Sequence, residues 1–315
     1  MAYGIAHFLF SKYIDSLQSA FDRISSVCRR IIDIKNVLYY NSVNYYMRKN
    51  MKKILTVLFV FTVISVLFTG CSKSSGGLTI KKGILSVGME IGYPPMEYLA
   101  PDGKTPVGFD VELANAIAEK MNLKLELIDT AWDGIFAGVD TKRYDCIISS
   151  VTITPERLKA HNFSKPYIQN TLALVLSKNS KHNIRSPMDL AGLGVAYQEE
   201  TTSDHYMEQL AKDGLNFTPY EYDKVMYCFD ELRLGRVDAI VTDLLVAFEY
   251  LARSDIFEIV WVGGEEEFGI CLKKGNDALT EAIDKTLDEL FANGTMLRIS
   301  KDIFSGMDLV SAVRR

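Results

Sequence analysis

Cysteine and histidine are scarce in this 315-residue chain, which holds five of the first and four of the second. The histidines are scattered and keep no ligand-type spacing with the cysteines, so no metal site and no cofactor is expected. Cys28 lies in an atypical N-terminal segment and Cys71 at the end of a leader, which leaves Cys146, Cys228 and Cys271. Three is odd and excludes a complete disulfide framework. Cys146 and Cys271 sit in apolar, strand-like runs and read as buried thiols. A basic stripe is missing too. Residues 1–70 carry nine of the 35 Lys and Arg but only three of the 40 Asp and Glu, leaving 26 bases against 37 acids in the remainder. An acidic body of that kind argues against nucleic acid as a partner.

No apolar run reaches the length of a comfortable membrane span, about 20 residues. The apolar stretch 54–68 follows the short positive run Met51-Lys52-Lys53 and leads through Thr69-Gly70 to Cys71. That is the layout of a secretory signal peptide over 51–70. The cysteine after the small pair resembles a bacterial lipobox, with Phe68 where leucine is usual. The resemblance implies that Cys71 is lipidated and becomes the mature N-terminus, anchored stably by two or more acyl chains. A leader belongs at the start of a chain, so residues 1–50 are expected to be an over-extended start, with translation beginning at Met47 or Met51. Residues 71–77 then form a flexible tether.

From there strands and helices alternate. ILSVGME (84–90) reads as a strand, and Asp110 as the cap of a helix with apolar positions Val111, Ala114, Ile117, Ala118 and Met121. LKLELID (123–129) alternates as a strand does, 132–139 reads as helix, and YDCIISS (144–150) as a short buried strand. Ser186-Pro187 opens a helix that Gly192 ends, and Gly214 closes another. The last helix covers about 277–292, with Leu279, Ile283, Leu287 and Leu290 on one face and Gly294 past its end. The alternation predicts an α/β fold with a mostly parallel sheet.

Two local patterns point to a site. In SSVTITPER (149–157), Thr154 before Pro155 is a helix start, which puts Arg157 in a first turn that favours acids. An arginine there, below the hydroxyls of Ser149, Ser150, Thr152 and Thr154, makes electrostatic sense once an anion is present. RYDCIISS (143–150) and RVDAIVTD (236–243) share the order Arg-x-Asp-x-Ile-aliphatic-polar-polar. Each reads as a buried strand ending in polar residues, where open α/β sheets bind ligands, so a ligand held between two half-domains is expected.

The stretch LSVGMEIGYPPMEYLAPDGKTPVGFDVELANAIAEKM, followed by AWDGIFAGVDTKRYDCIISSVTITPERLKAHNFSKPY, resembles the polar amino-acid branch of the bacterial extracellular solute-binding proteins, family 3. The resemblance covers about 80–305 and includes FGICLKKGN and GTMLRISKDIF. It implies a type II periplasmic-binding-protein-like α/β fold of two lobes joined by two crossover hinge strands, near 167–171 and 264–268. Lobe 1 would hold 78–168 plus 268–315, and lobe 2 would hold 172–263, closing on ligand by hinge motion. The implied role is the extracytoplasmic, monomeric receptor of an ABC amino-acid importer, passing a free L-amino acid to a permease and its ATPase, without catalysis.

The resemblance also implies roles for single residues. Arg157 would grip the ligand α-carboxylate as a bidentate pair, with Thr152 and Ser150 beside it and Thr201 and Thr202 closing from lobe 2. Asp243 would take the α-ammonium, Tyr93 and Trp132 would wall the side chain, and Glu90 and Ser149 would face its far end. An acidic Glu90 near two aromatic rings suits a cationic side chain such as that of arginine, with glutamine and cystine as rivals. One position departs from the pattern: Glu200 stands before the paired threonines where many members have glycine, which costs strain if the backbone there has a positive φ. Two other classes stay open, an arogenate/prephenate-type dehydratase with Glu90 as its acid, and a sensory amino-acid-binding protein.

Overall fold

Two five-stranded sheets carry the fold of this computed structural model, which describes residues 77–314 and the isolated positions Ser19 and Tyr45. The extension, the leader and Cys71 lie outside the described residues. The chain begins with β1 (Ile84–Met89), makes a small hairpin of β2 (Tyr98–Leu99) and β3 (Pro106–Val107), and enters α1 (Phe109–Lys120). Next come β4 (Lys124–Asp129), a 3-10 turn at Trp132–Gly134 running into α2 (Ile135–Asp140), and β5 (Cys146–Ile147). A short α3 (Pro155–Ala160) and β6 (His161–Phe163) follow.

The second half starts with β7 (Ile168–Ser177), then β8 (Gly194–Gln198), α4 (Thr202–Lys212) and β9 (Thr218–Tyr222). It continues through α5 (Val225–Arg233), β10 (Ala239–Asp243) and α6 (Leu244–Arg253). The chain then returns along β11 (Phe257–Phe268) to β12 (Cys271–Lys273), α7 (Asp277–Ala292) and α8 (Thr295–Ile303).

The first sheet has the order β4-β1-β5-β12-β6 and the second β11-β7-β10-β8-β9. β4, β1 and β5 run parallel, as do β9, β8 and β10, while β12, β7 and β11 run antiparallel to their neighbours. Helices cover the faces, so central strands such as β1 and β10 are almost wholly apolar and buried rather than alternating. Each sheet has its own core. Leu113, Ile117, Ile283 and Leu287 pack on the first, and Val246, Phe229 and Met207 on the second. Both cores are built from residues of the compact unit Gly76–Arg315.

The chain passes between the sheets along β7 and β11, paired antiparallel from Ile168↔Phe268 to Ser177↔Phe257. Their register slips at Gly264, whose φ of 70° is open to glycine without strain. The result is a two-lobed α/β fold. The sequence echo has a structural meaning. Asp145, just before β5, accepts from Ser86 N at 2.8 Å, and Asp238, just before β10, accepts from Gly194 N at 2.8 Å. In each lobe the aspartate pins the start of the neighbouring parallel strand.

One local reading is corrected. Asp110 does not cap α1; Gly108, at φ 125°, is the N-cap, and a Cβ there would lie 2.3 Å from the Met96 carbonyl oxygen. Asp110 instead turns inward and is fully buried. Cys146, Cys228 and Cys271 are free and buried, and burial pushes each thiol above its ordinary range.

Candidate functional site

Parallel strands in the two lobes aim their carboxyl ends at a common cleft, and each end carries polar groups. β1 leads to Glu90, β5 to Ser149 and Ser150, while β8 ends in Gln198 and β10 in Asp243. They wall a space of about 340 Å³, and all ten residues singled out from the sequence line it, joined by Glu97 and Gln198.

Arg157 is among them. Thr154 Oγ1 accepts from Arg157 N at 3.2 Å and Pro155 fills the first helical position, so the sequence builds this turn locally. The guanidinium donates to Thr152 O at 3.2 Å and across the cleft to Glu200 O at 3.4 Å. It lies 5.5 Å from the Trp132 ring centroid and 5.1 Å from that of Phe136. Burial lowers its pKa, and among the described residues no carboxylate comes within ion-pairing distance. This is a cation prepared for an anion.

In the same cavity Asp243 is buried, with Tyr93 Oη donating to Oδ2 at 2.6 Å and Asn170 Nδ2 to Oδ1 at 2.8 Å. Asn170 also donates to Glu266 Oε2 at 2.9 Å, on the crossing strand β11. Burial first, and the Glu266 charge second, raise the Asp243 pKa above the carboxylate range. A cation seated against it would lower that pKa again.

A third corner is acidic. Glu90 Oε2 accepts from Gln198 Nε2 at 2.8 Å, while Oε1 has no hydrogen-bond partner among the described residues. Burial pushes Glu90 up to about 7, against the Gln198 hydrogen bond and the nearby Lys224 charge. Ser149 Oγ accepts from Glu90 N at 3.0 Å and donates to Glu97 Oε1 at 2.6 Å. Behind it lie the buried carboxyls of Glu97 and Asp110, whose Oε2 and Oδ1 have no hydrogen-bond partner among the described residues. Burial, then the neighbouring Asp110 charge, hold Glu97 well above the usual range.

The lobes are in contact through Trp132 Nε1, which donates to Glu200 O at 3.1 Å, and through the Arg157–Glu200, Glu90–Gln198 and Tyr93–Asp243 bonds. Glu200 has a φ of 58°, so the strain suggested by its departure from glycine is present. Its exposed side chain points away, and its N–H donates to Asp204 Oδ2 at 2.8 Å. The chemistry is all in its carbonyl. Thr201 caps α4, accepting from Asp204 N at 3.4 Å and donating to Gln198 O at 2.7 Å. Ser150 is a second non-glycine with positive φ, 50°, and its N–H is likewise caught by a carboxylate, Asp110 Oδ2 at 2.7 Å.

Residues 85–306 match the family described as bacterial extracellular solute-binding proteins, family 3. The chain belongs to that family. A relative of this solute-binding protein, the L-cystine-binding protein TcyJ of Escherichia coli (strain K12), is 33% identical over 228 residues, 71% of this chain and 84% of TcyJ. An ancestral arginine-binding protein solved with arginine is 37% identical, with a TM-score of 0.68 over 71% of this chain and 99% of its own. An ancestral amino acid-binding protein described as a precursor of cyclohexadienyl dehydratase is 33% identical, with a TM-score of 0.65 over 70% of this chain and 96% of its own.

Sequence reasoning about this solute-binding protein missed Glu97, Gln198 and Glu266. For Gln198 a signal existed, since GVAYQ is a third apolar strand that ends in a polar residue. Glu266 sits in the run Glu265-Glu266-Glu267, which reads as a solvated face. Glu97 is brought to Ser149 only by the tight turn in which Glu97 N bonds to Tyr93 O.

Proposed function

We propose that this extracytoplasmic solute-binding protein captures one free L-amino acid between its lobes and presents it to an ABC permease and its ATPase, without chemistry on the ligand. The observation that carries this is that Arg157 and Asp243 line one cavity without a direct ion pair, Arg157 held by carbonyl oxygens and Asp243 by neutral donors. An α-carboxylate and an α-ammonium supply both missing charges. In this reading lobe 1 holds 78–168 plus 268–315, lobe 2 holds 172–263, and the paired strands β7 and β11 are the hinge. The signal peptide over 51–70 and lipidation at Cys71 tether the receptor to the outer face of the membrane.

The ligand is a cationic amino acid such as arginine. Glu90, with a free oxygen at the far end of the aromatic wall, supplies the matching charge, and the arginine-bound ancestral structure supports that choice. The cystine-binding relative makes cystine the rival, followed by glutamine. Isothermal calorimetry against the standard amino acids plus ornithine and cystine tests this. One-to-one binding of arginine or ornithine is expected, and Arg157→Ala should weaken every ligand alike, by several kcal/mol, since a charge-assisted bond is lost and its partner stays buried. Unchanged binding by Arg157→Ala removes the assignment. A dehydratase reading draws on Glu90, whose pKa near 7 suits a general acid; absorbance from an aromatic product of arogenate would establish it in place of the transport reading.

A further inference from the structure

The amino ends of the parallel strands in the first lobe, opposite the cleft, form a basic edge in an otherwise acidic body. Strand order β4-β1-β5-β12 sets four chain segments side by side there. They contribute Lys124 at the start of β4, Lys81 and Lys82 before β1, Lys142 and Arg143 before β5, and Lys273 and Lys274 at the end of β12. All but the half-buried Lys273 are exposed. Two of the carboxylates on these segments, Glu126 and Asp145, are already engaged, and a third, Asp140, is half-exposed beside a histidine. Glu126 pairs with Lys81 at 2.9 Å, Asp140 faces His161 at 3.3 Å, and the buried Asp145 takes Ile80 N and Ser86 N.

Among the described residues, Lys82, Lys124, Lys142, Arg143 and Lys274 have no carboxylate within ion-pairing distance, and Lys274 reaches only the carbonyls of Leu158 and His161. The same edge carries two apolar side chains in the open, Leu78 at 42% and Ile80 at 47% exposure. They share a groove with Gly77, Lys142, Lys273 and Lys274. Gly77 is where the described chain starts, and Cys71 lies six residues upstream, a reach of at most about 20 Å.

We propose that this edge is a membrane-facing surface that rests on anionic lipid headgroups, with Leu78 and Ile80 at the headgroup boundary and the lysines on the phosphates. It rests on the anchored placement proposed above. Acyl chains alone hold the protein to the bilayer but leave its direction free; a basic edge beside the tether sets that direction, turning the acidic remainder away from a negative surface. Attraction of this kind acts within about 8–10 Å and weakens with salt.

The test uses the compact unit Gly76–Arg315, which holds the cores of both sheets, sedimented with vesicles of phosphatidylcholine alone or containing phosphatidylglycerol. Binding should require phosphatidylglycerol, fall as salt rises, and drop on the order of 100-fold in the triple variant Lys82→Gln, Lys124→Gln, Arg143→Gln, about fivefold per charge. Amino-acid affinity by calorimetry should be the same for both proteins. That measurement also separates the two ideas, because failure to bind any amino acid sinks the transport reading and leaves the vesicle result standing. Equal binding to phosphatidylcholine, no binding, or an unaffected triple variant overturns the proposal.

Discussion

The ends of β5 and β10 are built by one device and finished differently. In both, an aspartate two residues after an arginine pins the adjacent parallel strand, and an apolar run then delivers two polar residues to the cleft. In the first lobe these are Ser149 and Ser150, neutral hydroxyls backed by the buried carboxyls of Glu97 and Asp110. In the second they are Thr242 and Asp243, a carboxylate set directly in the wall. The scaffold fixes where a polar group emerges, and the last residue alone decides its charge. At these two strand ends the first lobe therefore presents hydroxyls, with Arg157 beside them, and the second a carboxylate; Glu90, an acid of the first lobe that lines the cleft, follows β1 instead.

The largest test of that difference exchanges charge for neutrality at the second strand end. Asp243→Asn should lower ligand affinity 100-fold or more by calorimetry, since a charged hydrogen-bonded pair is lost. It should also raise the melting temperature of the ligand-free protein, because a buried carboxylate held at a raised pKa has been removed. Loss of both affinity and stability would show Asp243 to be structural.

Acidity offers the next test. Glu90 moves from an ordinary 4.5 to about 7 in the folded protein, worth roughly 3 kcal/mol. Between those values it stays protonated when folded and ionises when unfolded. Its contribution to stability is therefore full below about 4.5 and lost as pH rises through about 7. Ligand affinity should run the other way, rising as pH climbs towards about 7, because a cationic ligand binds the ionised Glu90 and below that value must displace its proton. Melting curves and calorimetry in buffers of different ionisation enthalpy check both signs.

The pinning aspartates should differ next. Asp145 is buried and accepts three donors, Ile80 N, Ser86 N and Ser86 Oγ, whereas Asp238 is 39% exposed and accepts from Gly194 N. Asp145→Ala should cost about 3 kcal/mol and Asp238→Ala about 1 kcal/mol, read as denaturation midpoints. Equal losses would end the idea that the first lobe depends more on its anchor. The smallest effect is expected at Glu200, where glycine relieves a left-handed backbone and should add about 1 kcal/mol, or roughly 2–4 °C. Affinity should hold, because the bonds to Trp132 and Arg157 use the Glu200 carbonyl.

Much of the site was legible because strand ends announce themselves as an apolar run followed by polar residues, as at Ser149-Ser150 and Thr242-Asp243. Arg157 was legible because it violates the charge preference of its own helix turn. Asp110 was misread for the converse reason. An aspartate at a helix start has a ready local explanation as a cap, and nothing local reveals that Gly108 already holds that position. Its partner Glu97 is thirteen residues away in the chain and meets it only in the core.

By itself, the sequence determined what short-range physics can decide: the alternation of strand and helix, the Thr154-Pro155 helix entry, the odd count of cysteines, and the polar residues closing β5 and β10. Only the tertiary structure decided what depends on distance and on the exclusion of water. It set Arg157 and Asp243 in the wall of one cavity, buried Glu97 and Asp110 together behind Ser149 and Ser150, and lifted Glu90 to about 7. Burial is a property of everything packed around a group, and no neighbourhood along the chain contains it.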